Sequence, residues 1–251
     1  MSRRTAAERI VLRGRAVTLA GLAVLAGLAW LYLLGGAGMS PMTGMVAMAT
    51  APGLPLVAAM WFAMMVAMMV PSAAPTILLY AQAHRHSVPG AGPPPTATFL
   101  AGYLACWLGF SLFAAGAQLW LERAALATPM TMALHDQLAG AAILIAAGSY
   151  QLSPLKDACL GKCRSPAQFL SRHYRPGRAG ALRLGLLHGA YCVGCCWLLM
   201  ALLFVGGVMN LAWVAALTLL VAAEKLLPGG EWIARVAGAA MIAWGAILLL
   251  A

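Results

Sequence analysis

Cysteines, a histidine and a methionine recur at helical spacing inside a long apolar stretch: His188-x3-Cys192-x2-Cys195-Cys196-x3-Met200. Steps of four set His188, Cys192, Cys196 and Met200 along one face of a helix, and Cys195 lies seven residues on from His188. Thiol, thioether and imidazole together are the ligand set that selects Cu(I) or another soft metal. Such groups are costly inside lipid, so a cluster there points to function rather than to packing. Buried free cysteine as a small hydrophobe is the competing reading.

Methionine is patterned in two further places. Met39, Met42, Met45 and Met48 recur every third residue in a Gly- and Pro-containing segment, where neutral thioethers suit outer capture of Cu(I). Met60, Met64 and Met68 form one stripe of the next apolar segment, and Met65 and Met69 its neighbour. Met as adaptable packing is the alternative for both. Pro71 and Pro75 predict a kink, with Ser72 and Thr76 able to satisfy freed backbone groups.

Three more candidates complete the set. Cys106 sits near the middle of its apolar segment, at a depth matching Cys192 to Cys196. Cys159 and Cys163 are four apart in a basic stretch, where Lys156, Lys162 and Arg164 would favour thiolate. Two cysteines do not close a zinc site, and metal receipt, redox chemistry and structure all stay open for this pair. Glu224 is an acid at the inner end of a span, a possible proton or ion-pair site. Beside it, Lys225 reads as a helix-end charge meeting inner head groups.

The elements that must position these residues follow from composition. The chain has 251 residues, 63% hydrophobic and only 9% charged, which excludes an ordinary soluble domain. Apolar stretches predict about seven spans, near 16–34, 54–82, 97–121, 132–154, 182–206, 210–227 and 232–250. The expected architecture is all-α: a polytopic transmembrane helical bundle forming a single integral membrane domain over 1–251. A basic Cys-containing cytoplasmic loop is expected at 155–181, with Phe169 to Tyr174 as a short helix on the inner leaflet. His84-Arg85-His86 and the following Pro-rich stretch read as a linker. Gly140 to Gly148 predicts close helix packing, and Gly206-Gly207 a tight turn.

With the N-terminus cytoplasmic, every basic residue except Arg123 falls inside. The net charge of +10 is thereby explained by orientation, and nucleic acid is not an expected partner. The first apolar run is longer than a signal-peptide core and lacks a clean cleavage site, so it reads as a span. Inner thiols stay reduced, which argues against a disulfide framework.

The segments at 60–71 (Met-Trp-x2-Met-Met-x2-Met-Met-x-Pro), 150–164 (Tyr-Gln-x2-Pro-Leu-Lys-x2-Cys-Leu-x2-Cys-Arg) and 189–200 (Gly-x2-Cys-x-Gly-Cys-Cys-Trp-x2-Met) occur together. With Gly207-Val208-Met209-Asn210 and Glu224-Lys225, they resemble a bacterial domain-of-unknown-function family described as predicted metal-binding integral membrane proteins. The resemblance covers about residues 55–235 and implies a membrane metal site, without naming a metal or a reaction.

The expected function is Cu(I) handling, by uptake or delivery across a bacterial inner membrane. Outer methionines would collect the ion, and Met60, Met64 and Met68 pass it inward. Cys192, Cys195, Cys196, Cys106 and His188 would form a central site, and Cys159 and Cys163 would release the ion to a metal chaperone or membrane metalloenzyme. The alternatives are a membrane thiol or metal redox enzyme, and a non-transporting assembly factor. An enzyme is the less expected outcome.

Overall fold

The structure is a computed structural model that describes residues 6–36, 53–87, 93–124 and 136–250, with side chains described from Gly14 onward in the first of these. The described residues form helices and no strands. In chain order these are α1 (Ala6–Leu34), α2 (Leu54–Ser87), α3 (Thr96–Arg123), α4 (Gln137–Gln151) and α5 (Pro154–Arg164). They continue with α6 (Pro166–His173), α7 (Gly177–Ala201), α8 (Leu203–Gly206), α9 (Leu211–Leu226) and α10 (Gly230–Leu250).

Among the described residues, five helical stretches are long and apolar enough to cross a membrane: Gly14–Leu34, Leu54–Ser87, Thr96–Arg123, Gly177–Gly206 and Gly230–Leu250. Apolar side chains such as Leu31, Phe113, Leu219 and Val236 point outward from the bundle, a surface that fits a lipid bilayer. The other two expected spans differ. The described part of 132–154 is α4, which with α5 forms a pair bent by 63° that can count as a sixth, broken span. α9 has 16 residues, about 24 Å of helix against a hydrocarbon core of about 30 Å.

Small residues bring the helices together. α4 packs on α10 through Gly148, Gly238 and Gly245, where an added Cβ would meet neighbouring backbone. This is the close packing expected of the Gly140–Gly148 stretch. The α3–α7 seam uses Gly102, Gly185 and Gly189 in the same way: a Cβ on Gly189 would lie 3.0 Å from Tyr103 O. The Gly185-x3-Gly189 spacing was a legible signal for this seam that sequence reasoning passed over. Gly207 turns the chain at φ 87, and Asn210 caps α9 by accepting from Trp213 N, as the turn expectation required.

α2 stays helical through Pro71 and Pro75, and Ser72 Oγ donates to Met69 O at 2.9 Å beside the first proline. α2 also continues to Ser87, so His84-Arg85-His86 form its last turn rather than a linker. His84 is buried, with Nδ1 3.1 Å from the Tyr174 hydroxyl.

The basic stretch at 155–181 is largely helical, including the short helix expected near Phe169 to Tyr174. It folds into α5, α6 and the start of α7, and α5 packs along α7. Ser153 caps α5 by accepting from Lys156 N, with Pro154 in the first turn; Pro166 opens α6. Leu160, Phe169 and Leu170 are buried in the core. Hydrophobic burial draws the short α6 helix onto the protein, with Phe169 against His188 and Tyr191.

Candidate metal centre at the α2, α5, α7 and α9 junction

The α7 stripe is buried along its length: His188, Cys192, Cys195, Cys196 and Met200 each expose 2% or less. A 3.6-residue period explains this, since one apolar and sulfur-bearing face turns inward while Trp197 faces out. All six cysteines are free thiols. Cys195 and Cys196 donate to Cys192 O, at 3.1 and 2.9 Å, so the main chain of their own helix holds them in place.

Cys192 is the centre of the contacts. Its sulfur lies 2.9 Å from Lys225 Nζ on α9 and 3.1 Å from the Tyr103 hydroxyl on α3. Lys225 Nζ is also 3.8 Å from Met69 Sδ on α2. Tyr103 donates to Met69 O at 3.0 Å. Cys163, on α5, packs against the core beside Cys192 and Cys195. Four helices besides α7 therefore meet at one sulfur cluster.

The methionines of α2 connect this cluster to a cavity. Met60, Met64, Met65, Met68 and Met69 are all essentially inaccessible. Met60 and Met64 line a cavity of about 140 Å³ together with Leu33, Leu34, Gly36, Val208, Met209 and Leu211. Met69 lies nine residues on from Met60, about 13 Å along the helix. The buried thioethers thus run from the cavity to Lys225 and Cys192.

The other candidates lie around this core. Cys106 is half-buried in the α3–α7 seam over Gly189 and donates to Leu186 O at 3.2 Å, so its contacts are with backbone. His188 stacks on Tyr103 at 5.7 Å and packs against Phe99 and Phe169, with Nδ1 buried and lacking a hydrogen bond. Cys159 faces α7 beside Gly194, where a Cβ would lie 3.2 Å from its sulfur. Met39, Met42, Met45 and Met48 lie outside the described residues.

Glu224 and Lys225 are not a helix-end pair in the head groups: both are buried. Neighbours on a helix diverge by about 100°, so Lys225 turns to the thiols and Glu224 turns to α5. Glu224 Oε2 accepts from Lys156 Nζ at 2.6 Å, and Oε1 accepts from Gln151 Nε2 at 2.6 Å. Lys156 is therefore committed to Glu224, and Arg164 donates to Leu227 O. The cation that meets the thiols is Lys225, which sequence reasoning counted as an inner charge. A lysine within an apolar span was the signal available. Tyr103 and Gln151 carried no comparable signal.

Among the described residues, no three His, Cys, Asp or Glu side chains form a ready-made cage for a metal ion. The sulfurs instead are held by backbone hydrogen bonds and by Lys225. Soft donors are nonetheless the chemistry on offer, since thiols and thioethers converge while the neighbouring carboxylate, Glu224, is kept to its ion pair with Lys156.

No curated protein and no solved structure matches the chain. A family model described as "PpoB2: Copper chaperone" matches residues 58–248, which include α3 to α9, the sulfur cluster and the Met60–Met69 stripe. That match supplies the metal that the motif resemblance left unnamed, and the chain belongs to the PpoB2 copper chaperone family.

Proposed function

We propose that the chain is an integral protein of a bacterial inner membrane that takes up Cu(I) through buried methionines and hands it on from the thiol cluster to a partner. The N-terminus is cytoplasmic in this reading and the chain crosses about seven times, with α9 and the α4–α5 pair as its short or broken crossings. The observation that carries the proposal is the meeting of two soft-donor rows: Met69 of α2 and Cys192 of α7 both reach Lys225 Nζ. The family's copper chaperone description supports delivery rather than release to water.

Met39, Met42, Met45 and Met48 collect the ion, and Met60, Met64, Met65, Met68 and Met69 relay it without any change of protonation, since a thioether is neutral. Cys192, Cys195, Cys196 and Cys163 receive it; Cys106, Cys159, His188 and Met200 border the route. Two thiolates about one Cu(I) carry a net negative charge, which the Lys225 ammonium offsets in a low-dielectric site. Exchange between sulfurs lets the ion leave a site that would otherwise trap it. Cys163, on the α5 arm, is the last station in this reading.

Anaerobic purification in mild detergent with reductant, followed by metal analysis by mass spectrometry, tests this. Near-stoichiometric copper that is lost in the Cys192→Ser, Cys195→Ser, Cys196→Ser variant is expected. Absence of copper in both proteins after Cu(I) loading would falsify the proposal. It would favour thiol–disulfide chemistry, for which the free thiols of Cys163, Cys192, Cys195 and Cys196 at one core are the specific observation.

A further inference from the structure

The α5 arm carries Cys159 and Cys163 and sets one apolar anchor, Leu160, into the core. It is short and largely polar, and its Lys156 is a charge that would ordinarily seek water. The structure instead seals Lys156 completely, on Glu224 of α9, with Gln151 of α4 completing the carboxylate's partners. Glu224 thereby ties the arm, the preceding helix and α9 at one point.

The next residue of α9, Lys225, makes the contact with Cys192. One dipeptide thus grips the arm with its acid and the α7 thiols with its base. Cys163 lies seven residues beyond Lys156, two turns along the same helical face. A charge buried without its partner is strongly unfavourable, so loss of either member works against the arm's place on α7.

We propose that Glu224 and Lys156 are positioning residues: their buried ion pair clamps the α5 arm so that Cys163 joins Cys192 and Cys195 in one thiol cluster. This deepens the copper reading, on which the use of the cluster rests, by assigning what assembles it. Neither residue touches the cargo. They act through the register of α5 on α7, and the pair is the point at which the arm can be let go.

The test uses the full chain with Cys106, Cys159, Cys192 and Cys196 replaced by Ser, leaving Cys163 and Cys195. Tetrathionate drives disulfide formation in native membranes, and mass analysis of peptides reads the cross-link without any metal. Disulfide formation needs the two Cα atoms within about 7 Å, so it reports the arm's register. Lys156→Met and Glu224→Gln are each expected to slow the cross-link about tenfold or more, because small displacements cost large factors in an intramolecular reaction. Lys156→Arg keeps the charge and is expected to keep most of the rate. Reversal of the pair, Lys156→Glu with Glu224→Lys, is expected to restore it in part.

Cross-linking at the parent rate in folded Lys156→Met would overturn the proposal. If the single variants do not fold, the reversed pair decides: a folded protein that cross-links supports the clamp, and a folded one that does not refutes it. Failure of every variant to fold, Lys156→Arg included, also refutes it, since the pair would then hold the bundle and not the arm. Parent protein that binds no copper defeats the function proposed above and leaves this result standing.

Discussion

Lys225 Nζ stands 2.9 Å from Cys192 Sγ, a buried cation on a buried thiol, and 3.8 Å from Met69 Sδ. No charge of Lys225's own helix accounts for this position, because Glu224 beside it is taken by Lys156. The ammonium is aimed at sulfur. It supplies positive charge where thiolates form and occupies the place between the two soft-donor rows.

Lys225→Met removes that charge while keeping an unbranched side chain. Two unit charges about 4 Å apart interact by about 4 kcal/mol at an effective dielectric of 20. Copper held by thiolates next to this site is therefore expected to bind at least about tenfold more weakly, the factor for ~1.4 kcal/mol. Lys225→Arg should retain most of the affinity. Competition with a Cu(I) chelator measures both, and unchanged affinity in Lys225→Met would remove Lys225 from the site.

Met64 tests the thioether row. Leu conserves volume and costs less than about 1.5 kcal/mol in a core, yet it lacks a soft donor. Met64→Leu should slow loading of the cluster while leaving the final copper content unchanged. Time-resolved loading in membranes separates the two quantities. An equal rate would mean that the stripe Met60, Met64, Met68 is packing only.

Glu224→Ala leaves Lys156 buried without its partner. Both side chains are almost wholly sealed, at 0% and 2% exposure, and breaking such a pair from one side costs about 3–5 kcal/mol. A large drop in thermal stability in detergent is expected. A loss below about 1 kcal/mol, the range of an exposed pair, would show that water reaches the site.

Gly185→Ala strikes the α3–α7 seam. Its Cβ would collide with Phe99 backbone, which has no flexible end to move. Overpacking of this kind costs about 1–3 kcal/mol. Because Tyr103 hangs from the same seam, its hydroxyl should also leave Cys192. Lower stability with weaker copper retention is the expected pair of outcomes, read by melting and by chelator competition. Full retention of both would mean that the seam opens freely.

Much of the scaffold was legible in the residues. Apolar runs of spanning length mark helices because a helix satisfies every backbone group within the segment, as lipid requires. The 3.6-residue period alone places His188, Cys192, Cys196 and Met200 on one face, and that face is buried. The same period lines up Met60, Met64 and Met68. These are local properties, set by spacing within one helix.

What the residues could not carry is contact between helices distant in sequence. Cys159 and Cys163 read as loop cysteines because polar residues dominate their surroundings. Only the fold shows that Leu160 and Phe169 draw the stretch back onto the bundle. Lys156 and Lys225 read as inner charges because burial of a lysine depends on a partner elsewhere in the chain. Glu224 and Cys192 are those partners, and neither their distance nor their direction is encoded locally. The sequence by itself determined which side chains are soft donors and which helix faces they share. Tertiary packing alone decided that the α2 row and the α7 row converge on one ammonium, because register between helices is set by how their surfaces interlock.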